Sequence, residues 1–333
     1  GKVMEIMSRG GGVGTNGSTL RPKNALARGV NGKSSGAVSW LNDIASLTHL
    51  VEQGGSRRGA QMIMLAVWHP DIIEFIISKM QNPNILRHII NTTKDEQIKR
   101  LAQEKLKFEP LSDDERTALE YALGHANDFG DFGTSEYTNK LLEDGGRYTV
   151  NNPDFLTGAN ISVAITKEFM QAVENDEEFA LMFPDVENYD EREMRYYNEH
   201  WHEVGDVREW PLPVKTYRTI RARDLWDLIN ICATYSAEPG VFFIDTANEM
   251  TNAQAYGQKV VATNPCGEQP LAPYSVCNLA AVNLANMADK ENKTVDFEKL
   301  KRTVRVGVRM MDNVIDATPY FLEENRKQAL GER

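Results

Sequence analysis

The chain is short of cysteine and of positive charge, and it has no long apolar run. Three cysteines among 333 residues cannot make a disulfide scaffold. In a reducing compartment they are free thiols unless chemistry uses them. No stretch approaches the ~18 apolar residues of a membrane-spanning helix. The N-terminus also lacks the charged, apolar and small-residue succession of a signal peptide, so no membrane and a cytoplasmic location are expected. With 37 Lys and Arg against 48 Asp and Glu the net charge is -11. That excludes a grip on a nucleic-acid polymer, whose backbone demands clustered cations, but single nucleotides need only a local basic pocket. There is no internal repeat and no low-complexity tract.

What is present is an ordinary globular composition, 41% hydrophobic and 26% charged, enough for a large core in one or two domains. Residues 1–36 carry Gly10, Gly11, Gly12, Gly14, Gly17, Gly29, Gly32 and Gly36, which reads as loop made for close backbone approach. Trp40 to Val51 reads as a helix, and Met62 to Val67 as a buried strand. Pro70-Asp71 opens an amphipathic helix reaching Met80. The charged stretch 93–150 reads as solvated helices. Ala159 to Ile165 is a second strand, with Thr166 capping a helix through Val173. Residues 175–215 show no clear period. Arg223 to Tyr235 is a helix, and Pro239 to Asp245 turns into a third buried strand. A short strand, Gln258 to Thr263, follows, and Phe297 to Ala317 is the last long helix. Strands alternating with helices predict a mostly parallel α/β architecture.

Several motifs mislead. Gly12-Val13-Gly14-Thr15-Asn16-Gly17 has the spacing of a dinucleotide fingerprint, but no buried strand precedes it and Leu20-Arg21-Pro22 breaks any helix after it. Ala27 to Ser34 ends like a phosphate-binding P-loop, again without the strand that would aim it. His200-Trp201-His202 could place two imidazoles on one face of a strand, yet further metal ligands are not identifiable, and a surface segment is the expected reading. Cys232 lies in an apolar helix and behaves as a small core hydrophobe.

Cys266 and Cys277 stand outside any periodic apolar segment. Asn264-Pro265-Cys266-Gly267-Glu268-Gln269-Pro270-Leu271 is a rigid loop that presents one sulfur with an amide and a carboxylate beside it. A carboxylate close to a thiol disfavours the thiolate. The expected chemistry is therefore that of a protonated thiol exchanging hydrogen atoms.

These residues, with Cys277-Asn278-Leu279 downstream, resemble the active-site signature of the ribonucleotide reductase catalytic subunit. The spelling is more similar to the adenosylcobalamin-dependent class (class II) than to the di-iron class. The resemblance takes in Gly10 to Pro22, Ser35-Gly36, Gln53 to Ala60, His69-Pro70-Asp71-Ile72, Asn160 to Val163 and Pro239-Gly240, and so covers nearly the whole chain. It implies a ten-stranded α/β barrel, incomplete at both ends here, with residues 258–285 as a finger loop through its centre and Cys266 at the tip. Residues 93–150 and 175–215 would be peripheral decorations.

The implied reaction starts with a thiyl radical on Cys266 that takes the 3′ hydrogen of a ribonucleotide. Glu268 would act as general base, Asn264 would orient the hydroxyls, and Cys277 would be one thiol of the reducing pair. The resemblance further implies substrate contacts at Gly14, Ser18, Ser35, Gly36 and Pro265 within the glycine-rich segment 1–60 and the loop. Specificity loops around Arg28, Gln53, Arg57 and Arg58 would answer a nucleotide effector. Adenosylcobalamin is the implied cofactor, and a thioredoxin-like reductant and a homodimer are implied partners. The second redox cysteine of the family lies upstream of the glycine-rich segment, so the chain is expected to be a fragment of a longer reductase. A di-iron class I catalytic subunit, a non-catalytic nucleotide-binding fragment and a P-loop NTPase are the competing readings.

Overall fold

The computed structural model describes residues 1–27, 32–51, 59–129 and 132–331. At its centre four strands pair in parallel in the order β1 (Gly12–Asn16), β2 (Ala60–Ala66), β3 (Asn160–Ile165) and β4 (Gly240–Phe243). Side chains alternate across such a sheet. Ile63 and Leu65 of β2, with Ile161, Val163 and Ile165 of β3, face the main core. Met62, Met64 and Ala164 face the opposite side. Because both faces of β2 and β3 are covered, these strands read as unbroken apolar runs.

Among the helices that close the main core are Ala37–Leu50, Ile72–Ile77, Lys167–Asn175 and Ala222–Ser236. They contribute Leu41, Phe75, Phe169 and Ile229, all fully buried. Thr166 caps the third of them by accepting from the Phe169 amide at 3.2 Å, as expected. The other face of the sheet is covered by Ala262 and Val261, from the segment that leads into the cysteine loop.

Several expectations are corrected. The glycine-rich start is not all loop, since helix Lys2–Ser8 precedes β1 and β1 itself holds Gly12 and Gly14. The helix after Asp71 ends at Ile77. β4 is an edge strand rather than a buried one, with Val241 and Phe243 more than 40% exposed, and Ile244-Asp245 start a helix that runs to Met250. Only Ala262–Thr263 of the stretch before the loop is strand. Residues 175–215 are ordered as an antiparallel hairpin, Glu178–Pro184 with Val214–Arg221, enclosing helix Glu191–Val204. The 93–150 stretch holds helices Glu96–Lys105, Asp113–Phe129 and Phe132–Asp144, and also a strand ribbon pairing Leu106–Pro110 with Gly146–Val150. The architecture is thus mixed α/β around a parallel sheet, and among the described residues that sheet is open, not a closed barrel.

Asp71 ties the glycine-rich segment to this core. Its carboxylate accepts from the Lys23 amide at 3.1 Å and from the Ala37 amide at 2.8 Å, the first residue of a helix. His69 fixes the turn. Its Nε2 donates to the Leu20 carbonyl at 2.9 Å, which can only accept, so Nδ1 is free to accept from the Asp71 amide at 3.1 Å. Burial holds this imidazole in the neutral form that the pairing needs. Asp71→Ala strands two amides, and each unmet buried donor costs about 1–3 kcal/mol. Urea unfolding should show a loss of roughly 2–4 kcal/mol, and a loss below about 1 kcal/mol would mean that water replaces the carboxylate.

Candidate active site

Cys266 sits at the tip of a hairpin. Ala262 and Thr263 pair with Leu271 and Pro270. The turn between them is closed by the Asn264 amide to the Gln269 carbonyl at 3.1 Å and the Gly267 amide to the Asn264 carbonyl at 3.1 Å. The Asn264 side chain adds a third bond, its Oδ1 accepting from the Gln269 amide at 2.9 Å. Gly267 takes φ +87°, a conformation that suits glycine. Cys266 and Glu268 both project outward, exposed.

The hairpin is laid along β1 in the opposite direction. Asn16 Nδ2 donates to the Val261 carbonyl at 2.8 Å, and Asn160 Nδ2 donates to the Pro265 carbonyl at 2.7 Å. Asn248 holds Val260 by both backbone groups, at 2.8 and 3.1 Å. A Cβ on Gly14 would lie 1.9 Å from the Thr263 carbonyl oxygen, and one on Gly12 would lie 2.6 Å from Pro265 Cγ. Two of the three glycines of the misleading fingerprint thus make room for the hairpin, Gly14 for its backbone and Gly12 for the Pro265 ring. Cys266 is carried to the N-terminal ends of β1 and β3.

Cys277 follows the hairpin, its neighbour Asn278 anchored by Nδ2 to the Met311 carbonyl at 2.9 Å. The residue is exposed as a whole, yet the surroundings of its sulfur withhold enough water to push the thiol pKa up, and the Glu268 charge pushes it further. The turn's carboxylate is therefore within electrostatic reach of the second cysteine.

The other expected site residues are distributed unevenly. Gly14 lies beneath Thr263, and the Pro265 carbonyl is taken by Asn160. Ser18 is 1% exposed, and its hydroxyl donates to Asn16 Oδ1 at 2.6 Å while accepting from the Ala66 amide at 2.8 Å. Ser35 is exposed, whereas Gly36 is buried between Lys23 and Asp71 at φ +101°. Arg28, Gln53, Arg57 and Arg58 lie outside the described residues. Cys232 is fully buried, its thiol pushed up to about 12 by burial, as a core residue should be. His200 and His202 lie two apart on a helix, hence on different sides of it, flanking buried Trp201. A cavity of about 270 Å³ lined by Thr166, Lys167 and Asp245 opens at the C-terminal ends of β3 and β4, away from Cys266. Sequence reasoning missed the anchoring asparagines, although Asn16 and Asn160 are unusual choices inside strands and carried that signal.

The family model for the ribonucleotide reductase barrel domain matches residues 1–333. A vitamin B12-dependent ribonucleoside-diphosphate reductase of Thermoplasma acidophilum is 29% identical over 322 residues, covering 97% of this chain and 29% of that protein. The protein of the same description from Mycobacterium tuberculosis is 28% identical over 324 residues, covering 97% of this chain and 32% of that one. A ribonucleoside-diphosphate reductase large chain of Cryptosporidium parvum is 26% identical and is covered over 33% of its length. The chain therefore spans about a third of these relatives.

Alkylation of Cys277, followed by mass spectrometry across pH, should show a midpoint above the ~8.5 of an ordinary thiol. Glu268→Gln should lower that midpoint only in part, because burial is the larger cause. A midpoint that ignores Glu268→Gln would remove the electrostatic link between turn and thiol.

Proposed function

Because the chain belongs to the ribonucleotide reductase family through its barrel domain, we propose that it carries the thiyl-radical centre of an enzyme that converts ribonucleotides to 2′-deoxyribonucleotides for DNA synthesis. The observation that carries this reading is the hairpin tip: one exposed sulfur between Asn264 and Glu268, pinned to a parallel sheet, with the Glu268 charge reaching Cys277. The names of the Thermoplasma and Mycobacterium relatives support ribonucleoside diphosphates as the substrate class and a cobalamin cofactor over a di-iron partner.

The tip fits a bulky cofactor, since Cys266 is exposed and a Cβ at Gly267 would meet nothing within 4 Å. The Cys266-Gly267 turn is the part of this chain that would face it. The Cys266 thiol would give up its hydrogen atom to the radical chemistry that adenosylcobalamin would supply when bound there.

The sulfur radical then takes the 3′ hydrogen of the sugar as an atom, and the thiol is restored. Glu268 accepts the 3′-hydroxyl proton as general base. The Asn264 carbonyl already holds the turn, so its Nδ2 is the group that orients a substrate hydroxyl. The 2′-hydroxyl leaves as water after taking a proton. Cys277 and a second thiol deliver two reducing equivalents and become a disulfide, and Cys266 returns the hydrogen to C3′. The sum is one ribonucleotide and one dithiol giving one deoxyribonucleotide, one water and one disulfide. The raised pKa of Cys277 keeps it a thiol at neutral pH, the form that donates hydrogen. Cys232, sealed in the core, is not the second thiol.

The same reading completes the four strands to a ten-stranded barrel in the whole enzyme. It assigns substrate contacts to the Ser35-Gly36 turn and effector response to the loops around Arg28 and Gln53 to Arg58. A thioredoxin-like protein regenerates the dithiol, the enzyme is a homodimer, and it works in the cytoplasm. In full-length enzyme with 3′-tritiated nucleotide, Cys266→Ser should abolish tritium release, whereas Cys277→Ser should spare a first release while preventing repeated turnover. Release that survives Cys266→Ser would sink the reading.

A further inference from the structure

Asn160 touches the peptide that begins Cys266. Its Nδ2 donates to the Pro265 carbonyl at 2.7 Å, and that carbonyl belongs to the peptide bond joining Pro265 to Cys266. Asparagine is depleted inside strands, and Asn160 occupies the first position of β3, opposite Met62. The residues on either side of it are themselves clamped. Lys79 Nζ donates to the Ala159 carbonyl at 2.7 Å, and the Ile161 amide donates to Glu238 Oε1 at 2.9 Å. Lys79 and Glu238 are joined to each other as an ion pair whose side chains are only 11% and 22% exposed. Withdrawing two charges from water is costly. Here the pair holds one backbone group on each side of a single residue, so the Asn160 side chain leaves a strand anchored on both sides of it.

We infer that Asn160 is a positioning residue for Cys266: held by the Lys79–Glu238 clamp, it sets the orientation of the Pro265-Cys266 peptide and so the direction in which the sulfur points. The inference rests on the reading of Cys266 as the radical-bearing thiol. Hydrogen-atom transfer between sulfur and carbon demands close alignment, whereas nucleotide binding does not depend on where this sulfur points. A fault in Asn160 therefore appears in the rate of the chemical step and not in affinity.

The test uses the full-length enzyme with Asn160→Ala and with Asn160→Asp, which keeps the size but sets a carboxylate against the carbonyl. Misplacement of a reacting group by about 1 Å costs about 100-fold, so 3′-tritium release should slow roughly 10- to 100-fold in both variants while KM for the nucleotide stays within about 3-fold. Amide hydrogen exchange should quicken across 262–271 and stay unchanged across 62–66. Release within about 2-fold of wild type overturns the inference, given the ~100-fold sensitivity to placement. So does a rise in KM that matches the fall in rate, with faster exchange throughout β2 and β3, because that marks general loosening. If Cys266→Ser keeps tritium release, the radical reading falls and this inference with it. If Cys266→Ser abolishes release and the Asn160 variants leave it intact, only the positioning role is lost.

Discussion

The contact of one backbone against another at β1 is the constraint on which the site depends. The Thr263 carbonyl occupies the place where a side chain on Gly14 would begin, and Pro265 does the same at Gly12. A hairpin cannot lie this close to a pleated strand unless the strand offers no Cβ. Once it lies there, polar groups from three places bind its backbone: Asn16 from β1, Asn160 from β3 and Asn248 from the helix after β4. The Cys266 turn is therefore held by the sheet along its approach, and its tip is left open.

Electrostatics follows from that placement. Glu268 extends from the same turn as Cys266, but its charge, together with burial, bears on Cys277. The chain thus keeps the Cys277 sulfur protonated. Farther away, Asp71 uses a carboxylate in the opposite sense, as an acceptor for the Lys23 and Ala37 amides that shapes the glycine-rich segment, with a neutral His69 behind it.

How much of this was legible depended on which force wrote each segment. β2 and β3 were plain because burial on both faces demands unbroken apolar runs, and the helix capped by Thr166 was plain because capping is local. β1 was hidden, since glycine has low strand preference and its reason for being there is a loop some 245 residues later in the chain. The Glu178–Pro184 strand was hidden differently: Phe179, Leu181 and Phe183 point inward, but Ala180 and Met182 between them are also apolar and blur the alternation. The tight turn that presents Cys266 was readable from residue types alone. Its supports were not, because Asn16 and Asn160 join it only through the fold.

β4 ends the sheet with one side of its backbone unpaired among the described residues, and Val241 and Phe243 stand exposed along it. Such a margin is sticky: free amides and carbonyls flanked by apolar side chains will recruit any extended segment that comes within reach. Handled by itself at high concentration, the polypeptide should gather into clusters through this rim, and a short complementary peptide that docks there should keep it dispersed.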